Sequence, residues 1–357
     1  MNWMESARRI QEDLEGLSAF TATPGQGCTR LPFTPETRAA ANFLLKKMEE
    51  AGLETWQDPA GNLFGLLPGR NREKPCILCG SHYDSVPGGG NYDGIAGVVC
   101  AIELARVLRE EGITPDADYL AAAFMDEEGC RFGSGYFGSK AVLGRLEPGE
   151  AGRLTDEEGI TLARAMERYG LKAGELPKAA WPKGRIGHFL KIHIEQGPVL
   201  DGQKKELGVV EGIVGLRRYR VAVNGRADHA GTTPMDIRSL QNEVLEEIPA
   251  RIRRRLQEET EKTGGSFTME ETLRIQPVEL SRPMRKILEE SCRERGYSWM
   301  ALPSGAGHDA LAMGQQVDTA MLFVPSRAGR SHCPEEYTPP EAFGRAVQVM
   351  KDLIVRL

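Results

Sequence analysis

The segment PCILCGSHYDS, residues 75–85, carries an apolar run that ends in a cluster of polar residues. A short apolar run of this kind is typical of a buried strand in a parallel sheet. Such a strand delivers the side chains at its carboxyl end to one edge of the sheet, where α/β proteins place their functional groups. We therefore expect His82 and Asp84 to lie at a functional edge of a sheet.

Similar polar clusters follow along the chain. They read GGNYDG at 89–94, MDEEG at 125–129, HIEQGP at 193–198 and SHCPEEY at 331–337. Imidazoles and carboxylates suit zinc or manganese, and two such ions need about five side chains, one of them a bridging carboxylate. The clusters therefore predict a two-metal hydrolase site. Its candidate ligands are His82, Asp93, Glu128, His193 and His332.

Neighbouring residues in these clusters are expected to have different tasks. Positions two apart on a strand share a face, so Asp84 can accept a hydrogen bond from the nitrogen of His82 that does not bind metal. Adjacent residues on an extended segment point in opposite directions, so Glu127 and Glu128 should not do the same work. One of them is expected to bind metal, while the other faces the attacking water as a general base.

Each of these signals is weak when it stands alone. Glu-Glu pairs are usually solvated surface, and ordinary cores contain histidines with structural roles, which is our interpretation of His188. The prediction depends on the joint pattern of glycine-flanked clusters at the ends of apolar runs. A chance distribution of these residues along the chain does not explain that pattern.

Length and composition set the broad class. The chain has 357 residues with 40% hydrophobic content, enough for a sizeable core and about two domains. Its net charge of -6 gives no electrostatic basis for binding nucleic acid. No segment is predicted to be a signal peptide or to span a membrane, so we expect a cytoplasmic protein. Its seven cysteines are expected to be free thiols, with Cys76 and Cys79 in the core.

Alternating helix and strand signals predict an α/β fold. Thr34 and Pro35 begin a helix that Gly52 ends, and a second helix follows the GGNYDG cluster. Strands are expected near residues 119–125 and 189–194. This order predicts a mainly parallel sheet sandwiched by helices, with active-site loops at the strand ends.

The pattern changes after the HIEQGP cluster. Apolar residues and arginines alternate from Arg218 to Val223, which predicts an antiparallel strand with one wet face. A charged helix is expected from Ser239 to Lys262, with a kink or split at Pro249. The sequence thus predicts a smaller domain inserted into the catalytic domain. The three parts are 1–211, 212–276 and 277–357.

At these motifs the chain resembles the hydantoinase/carbamoylase group of zinc-dependent amidohydrolases, relatives of aminoacylases and zinc aminopeptidases. The resemblance extends from near residue 16 to the C-terminus, with the motifs in the family's order. They are GSHYDSV, GGNYDG, DEEG, HIEQGPVLD, ADHAGTTPM, SGAGHDA and FVPS followed by SHCPEEYT. The resemblance implies a zinc-exopeptidase-like fold that holds two divalent metal ions, Zn²⁺ or Mn²⁺, with Co²⁺ or Ni²⁺ as substitutes.

The resemblance also divides the ligands between the two ions. His82 and His193 would bind one ion, Glu128 and His332 would bind the other, and Asp93 would bridge them.

Outside the ligands, the resemblance implies that Glu127 is the base and that His229 polarises the scissile carbonyl. Gln196 would lie in the substrate pocket. Arg238 would hold the substrate carboxylate, a role that suits the planar fork of an arginine. The SGAGHDA loop supplies candidates for the pocket or for shaping the loop, because its small residues let backbone approach closely. These are Gly305, Gly307, His308 and Asp309.

One departure from the family pattern concerns the smaller domain. In the family, an arginine-rich helix and two strands with a substrate-binding asparagine separate ADHAGTTPM from an Asp-Ile-Arg motif. Here Met235 is followed at once by Asp236, Ile237 and Arg238. We therefore expect a shortened α+β lid domain that lacks the asparagine.

The resemblance implies hydrolysis of the ureido or amide C–N bond of N-carbamoyl-L-amino acids or a similar ureido acid. Allantoate is the second candidate substrate, since it also combines a ureido group with a carboxylate. The motifs are also compatible with an aminoacylase or peptidase. A further alternative is a metal-binding protein that the shortened lid makes inactive. Family members pair as homodimers through the smaller domain, so we expect the shortening to alter the dimer.

Overall fold

The computed structural model describes residues 2–224, 231–239, 242–263 and 265–357. Within it the chain forms two compact units. The first comprises Met1–Val210, Leu280–Leu302 and His308–Leu357, and the second comprises Glu211–Glu279 and Pro303–Gly307.

The strands are, in chain order, β1 (Glu54–Gln57), β2 (Leu63–Leu67), β3 (Cys76–His82), β4 (Tyr119–Phe124), β5 (Ile186–Ile194), β6 (Leu207–Ile213), β7 (Gly215–Asn224), β8 (Gly231–Ser239), β9 (Ser266–Ile275), β10 (Val278–Glu279), β11 (Trp299–Ser304) and β12 (Asp318–Val324). The α-helices are α1 (Trp3–Ser18), α2 (Pro35–Glu50), α3 (Ile95–Glu110), α4 (Phe137–Val142), α5 (Glu150–Arg153), α6 (Leu162–Arg168), α7 (Val199–Gly202), α8 (Asn242–Thr263), α9 (Arg282–Glu294), α10 (Asp309–Met313) and α11 (Pro340–Arg356). Short 3-10 helices cover Ala173–Ala179 and Arg327–Gly329.

The central sheet of the first unit has the strand order β1-β2-β4-β3-β5-β12-β6. Its strands β4, β3, β5 and β12 run parallel, whereas β1 and β2 join antiparallel on one side of them and β6 pairs antiparallel with β12 on the other. Every residue of β3 and β4 is buried, which explains their continuous apolar character. The predicted α/β fold with a mainly parallel sheet is confirmed.

The parallel register brings the carboxyl ends of the middle strands to one edge of the sheet. His82 lies opposite Phe124, and His193 lies opposite Phe323. The polar clusters that follow these strands therefore all start from the same edge, where α/β proteins place their sites.

Helix α3 begins close to this edge and packs tightly on the sheet. Gly94 precedes it with a φ of 66°, a left-handed conformation that favours glycine. A Cβ atom added to Gly97 would lie 2.4 Å from the carbonyl oxygen of Ile192 and 2.8 Å from the Cβ of Ser81. Gly97 therefore lets α3 approach β3 and β5 more closely than any larger residue would.

In the second unit, β7 is the middle strand of an antiparallel sheet in the order β8-β7-β9. Tyr219 and Val221 are buried, whereas Arg218 and Arg220 are exposed. The predicted strand with one wet face is confirmed.

Helix α8 packs on this small sheet through both of its halves. It runs without interruption through Pro249, so of the predicted kink or split, the split does not occur. Leu245 before the proline and Ile252 after it contact the same apolar cluster, and this shared packing holds the helix together despite the lost hydrogen bond. In β8, Met235 and Arg238 belong to one continuous strand.

All seven cysteines are free thiols, and Cys76 and Cys79 are buried in the core. Among the described residues, no helix combines the length and the apolar character needed to cross a membrane.

We expect Gly97→Ala to lower the free energy of unfolding by about 1–3 kcal/mol, because the added methyl group forces α3 away from β5. Gly152→Ala is the control, since Gly152 also lies in a helix but has no atom within 4 Å of an added Cβ. Urea unfolding of both variants measures the difference. Equal stability of the two variants would contradict the close packing at Gly97.

Candidate metal centre

His82 is the last residue of β3 and only 1% exposed. Its Nδ1 lies 3.1 Å from the carbonyl oxygen of Asp84. Because a carbonyl oxygen only accepts hydrogen bonds, this contact assigns the proton to Nδ1 and a lone pair to Nε2. Nε2 faces Oδ1 of Asp93 at 3.7 Å and Oε2 of Glu127 at 3.8 Å. The imidazole is thus oriented toward carboxylates, as a metal ligand needs.

The carboxylate of Asp84 lies beside His82, as expected, and also has a second task that was not predicted. It lies 3.5 Å from Nδ1 of His82, farther than the carbonyl oxygen of Asp84 itself. Its Oδ1 accepts the N–H of Glu127 at 3.1 Å, and its Oδ2 accepts the N–H of Glu128 at 3.3 Å. Strand alternation does not apply here, because β3 ends at His82. Asp84 therefore fixes the loop that follows β4.

His193, near the end of β5, is arranged like His82. Its Nδ1 lies 2.9 Å from the carbonyl oxygen of Ile194, so Nε2 again presents a lone pair. Nε2 accepts the N–H of Gly94 at 3.3 Å and lies 3.1 Å from Oδ1 of Asp93. A lone pair and a carboxylate oxygen repel each other at this distance unless a proton or a metal cation lies between them.

Asp93 lies at the centre of the cluster and is 7% exposed. Its Oδ1 faces His82 and His193, while its Oδ2 lies 3.0 Å from Nε2 of His332. Oδ1 accepts no hydrogen bond from any described residue. Each oxygen of this carboxylate therefore serves different histidines, which is the arrangement that a bridge between two ions requires.

The loop that carries Asp93 is held by Glu336, a residue that the sequence reasoning missed. Oε1 of Glu336 accepts the N–H of Tyr92 at 2.9 Å and that of Asp93 at 3.0 Å. Its Oε2 accepts the hydroxyl of Ser331 at 2.9 Å. A Cβ added to Gly90 would lie 2.2 Å from Oε1, so glycine is needed there. The Glu-Glu pair of SHCPEEY is the only sequence signal, and it does not reveal these partners.

Glu127 and Glu128, although adjacent, face different histidines. Oε1 of Glu128 lies 3.4 Å from Nε2 of His332, whereas Oε2 of Glu127 lies 3.8 Å from Nε2 of His82. The segment is bent, with a φ of 57° at Asp126. Strand alternation therefore does not apply, and both carboxylates reach the same cluster, with ligand atoms of Glu127, Glu128 and His82 within 4.8 Å of one another.

The surroundings of Glu127 suit a group that takes up a proton. The residue is 7% exposed, and its Oε1 has no hydrogen-bond donor among the described residues. Burial raises the pKa of Glu127 well above its ordinary value; the charge of His82 opposes this shift and that of Glu128 adds to it.

The predicted ligands come together in overlapping groups whose ligand atoms lie within 4.8 Å of one another. These groups are His82 with Asp93 and His193, Asp93 with Glu128 and His332, and His82 with Glu127 and Glu128. Imidazoles and carboxylates that share Asp93 form a donor set suited to divalent cations. A cation between Nε2 of His193 and Oδ1 of Asp93 would also remove the repulsion between that lone pair and that oxygen.

Charge within the cluster controls its pKa values. Burial alone would lower the pKa of His82, but the charge of Glu127 and hydrogen bonds to neighbouring carboxylates hold it well above its ordinary value. Hydrogen bonds to Asp93 and Glu128 raise the pKa of His332 to about 10. Burial would raise the pKa of Asp93, yet the neighbouring histidines, His193 first, hold it well below the ordinary value. Burial, in contrast, lowers the pKa of His193. The carboxylates of the cluster thus favour nearby positive charge, which divalent ions would supply.

Two of the predicted substrate-binding residues touch the cluster directly. Nε2 of Gln196 donates to Oδ2 of Asp93 at 2.7 Å and lies 3.2 Å from Nε2 of His332. The ring of His308 lies 4.5 Å from that of His193 and is 1% exposed. Gln196 therefore lies at the predicted ligands themselves, and His308 packs behind one of them.

The other residues predicted to act on the substrate are Gly305, Gly307, Arg238 and His229. Gly305 and Gly307 lie in the second unit, and Arg238 lies on β8 opposite Leu216. His229 lies outside the described residues. Their roles stay predictions.

Residues 78–356 match peptidase family M20/M25/M40. The chain belongs to this family. The matched region begins within β3 and ends with α11, so it includes all the ligands of the cluster.

Relatives extend this result over nearly the whole chain. An N-carbamoyl-L-amino-acid amidohydrolase from Paenarthrobacter aurescens is 36% identical over 397 residues, covering 96% of each chain. An allantoate amidohydrolase from Bacillus subtilis is 32% identical over 402 residues, covering 98% of this chain and 97% of the relative. The crystal structure of a hydantoinase/carbamoylase family amidase from Burkholderia ambifaria gives a TM-score of 0.88 at 26% identity, covering 98% of this chain and 97% of that one. The resemblance stated from the motifs is confirmed.

Both alignments are longer than the 357 residues of this chain. Each relative therefore contains residues that have no counterpart here.

We expect His82→Ala to weaken Zn²⁺ binding by on the order of a hundredfold or more, because loss of a ligand costs more than loss of a group that merely supports one. His188→Ala is the control, since His188 lies on β5 but outside the cluster. Calorimetric titration of the metal-free protein measures both affinities. If the two variants bind Zn²⁺ equally well, His82 is not a ligand.

Proposed function

We propose that this protein is a metal-dependent hydrolase that cleaves the ureido C–N bond of N-carbamoyl-L-amino acids or a similar ureido acid. The observation that carries the proposal is Asp93, whose two oxygens face histidines of separate ligand groups. A shared carboxylate of this kind serves hydrolysis at two-ion sites. Similarity to the Paenarthrobacter aurescens amidohydrolase supports the substrate class.

The proposed cofactor is a pair of divalent ions. His82 and His193 would hold one ion, Glu128 and His332 would hold the other, and Asp93 would belong to both. Zn²⁺ or Mn²⁺ suits these donors, with Co²⁺ or Ni²⁺ as substitutes. When bound, such ions polarise a carbonyl group and lower the pKa of coordinated water.

Glu127 is the proposed proton carrier. Its Oε1 is buried and accepts no hydrogen bond from the described residues, so this oxygen can accept the proton of the attacking water. The same oxygen can return the proton to the leaving nitrogen. Because Glu127 is 7% exposed, bulk water has little access to that proton.

The residues proposed to position the substrate come mainly from the family motifs. His229 would polarise the scissile carbonyl, and Arg238 would pair with the substrate carboxylate. Gln196, whose amide already contacts Asp93, is placed to touch a substrate bound at the cluster. The remaining candidates for shaping the pocket are Gly305, Gly307 and His308.

Allantoate is the second candidate substrate, supported by the similarity to the Bacillus subtilis allantoate amidohydrolase. It carries a ureido group and a carboxylate, so the same residues would serve either substrate. Ammonia release from several N-carbamoyl-L-amino acids and from allantoate, in Zn²⁺, Mn²⁺ and Co²⁺, separates the two. Faster cleavage of an N-acyl amino acid or a dipeptide would instead favour an aminoacylase or peptidase.

We expect Glu127→Gln to keep its bound metal and to lose turnover by on the order of a hundredfold to ten-thousandfold, because the variant lacks the proton-accepting oxygen. Glu128→Gln is the matched comparison, since it removes an adjacent carboxylate that is assigned to metal binding. Metal analysis and steady-state kinetics of both variants decide the assignment. Loss of metal from Glu127→Gln would show that the two roles are exchanged.

The lid domain is proposed to be shorter than in relatives. The alignments with two relatives exceed the length of this chain, and the join of Met235 to Asp236 falls inside the continuous strand β8. Relatives would use the missing segment to place an asparagine on the substrate and to pair as dimers. A protein without it would position substrate less well, and small errors in position are costly in rate.

We therefore expect a well-formed metal centre with slow or absent turnover and a weakened or altered homodimer, because the shortened domain leaves strand edges uncovered. Sedimentation velocity measures the assembly, and ammonia release measures turnover on the same preparation. A stable dimer that turns over at about 10 per second, an ordinary enzyme rate, would show that the missing segment is dispensable.

A further inference from the structure

Lys191 is a fully buried lysine within β5, with a side chain that is 0% exposed. A buried ammonium group is costly unless it is paired. Its Nζ lies 3.1 Å from Oδ2 of Asp309, whose side chain is also 0% exposed. The pair joins β5 to the first residue of α10, and the hydrolysis proposed above does not use it.

The ion pair lies beside the metal-ligand cluster. Lys191 and His193 are two positions apart on β5, so they share a face of the sheet. Asp309 directly follows His308, whose ring lies 4.5 Å from that of His193 and 5.9 Å from that of Phe323. Phe323 is the neighbour of His193 in the sheet register. Lys191 therefore fixes Asp309, and Asp309 is the chain neighbour of His308. His308 in turn packs against the proposed ligand His193.

The contact with His308 limits how the ring of His193 can turn. That ring is held at Nδ1 by the carbonyl oxygen of Ile194, 2.9 Å away, which leaves Nε2 directed at Oδ1 of Asp93, 3.1 Å away. Rotation of the ring about its Cβ–Cγ bond would break both contacts. The ring of His308, inclined by 60° to that of His193, blocks this rotation from one side.

We propose that Lys191 and Asp309 are positioning residues for the metal centre, and that their ion pair fixes His308 against His193. The ammonium group holds the carboxylate of Asp309, Asp309 fixes the start of α10, and the adjacent His308 then cannot move away from the ligand. The inference rests on the proposed function, because it gives His193 the role of a metal ligand.

Stability alone does not account for an ion pair at this place. A buried ion pair usually contributes no more to stability than well-packed apolar residues of the same volume. The neighbours of Lys191, Leu190 and Ile192, are such residues and are fully buried. A charge-assisted hydrogen bond differs from an apolar contact in its fixed direction and short distance, so it holds its partners in one position. The pair also adds little net charge, since its two members act on Glu127 with opposite signs.

The test uses Lys191→Met, the double variant K191M/D309L and the control Arg9→Met, each in the full chain. Arg9 also pairs with a fully buried carboxylate, that of Glu103 at 2.7 Å, but between α1 and α3. The single variant leaves Asp309 as an unpaired buried charge, whereas the double variant removes both charges and keeps the site apolar. Metal-free protein is titrated with Co²⁺, whose visible absorption reports the ligand geometry, and the loaded protein is assayed for ureido hydrolysis.

The double variant is expected to bind Co²⁺ about tenfold to a hundredfold more weakly, with a shifted absorption spectrum. Its kcat should fall by a similar factor while KM changes little, because the substrate contacts remain. Arg9→Met should keep the wild-type spectrum, affinity and kcat, although its thermal midpoint falls.

A double variant with wild-type Co²⁺ affinity, spectrum and kcat would overturn the inference. A double variant that does not fold would overturn it as well, since the pair would then serve folding alone. Failure of the proposed function looks different: the wild-type protein would cleave an N-acyl amino acid or a dipeptide faster than any ureido acid, while the Co²⁺ spectra would still distinguish the double variant from Arg9→Met.

Discussion

The contact of the Asp93 carboxylate with imidazoles from three separate parts of the chain holds the whole site together. A carboxylate that is 7% exposed is costly to bury, and nearby positive charge offsets this cost. The hydrogen bonds that fix Nδ1 of His82 and His193 leave lone pairs directed at the carboxylates, so the cluster as a whole attracts a cation. The burial of Asp93, the charges around it and the tautomers of His82 and His193 thus all favour the binding of a cation.

Two further carboxylates hold the cluster in place by binding backbone. Asp84 accepts the N–H groups of Glu127 and Glu128, and Glu336 accepts those of Tyr92 and Asp93. In both cases a charged acceptor fixes two consecutive peptide groups, which is stronger and more directional than a neutral hydrogen bond. The loops after β3 and β4 therefore keep their shape although neither continues a regular element.

The two units are stabilised to very different degrees. The first has a continuous core that extends over the central sheet and its helices. The core cluster of the second has few buried members among the described residues, and those are Tyr219, Val221, Leu245 and Met269. A small core supports less structure of its own, because the buried fraction of the surface falls with size. The ligands of the proposed metal centre all belong to the better stabilised unit.

Local patterns in the amino-acid sequence were enough to predict β3, β4, the end of β5, a mainly parallel sheet and the residues that come together at its edge, because each depends on an apolar run followed by imidazole or carboxylate residues. The groups that support those residues emerge only from the folded chain. Asp93 and Glu336 are 243 positions apart, and Lys191 and Asp309 are 118 apart. Such pairs form because the sheet register and the paths of the loops bring the two residues together. A local sequence pattern reveals neither the register nor the loop paths. For the same reason the sequence did not reveal that Asp84, whose carboxylate lies 3.5 Å from Nδ1 of His82, also holds the next loop through the N–H of Glu127.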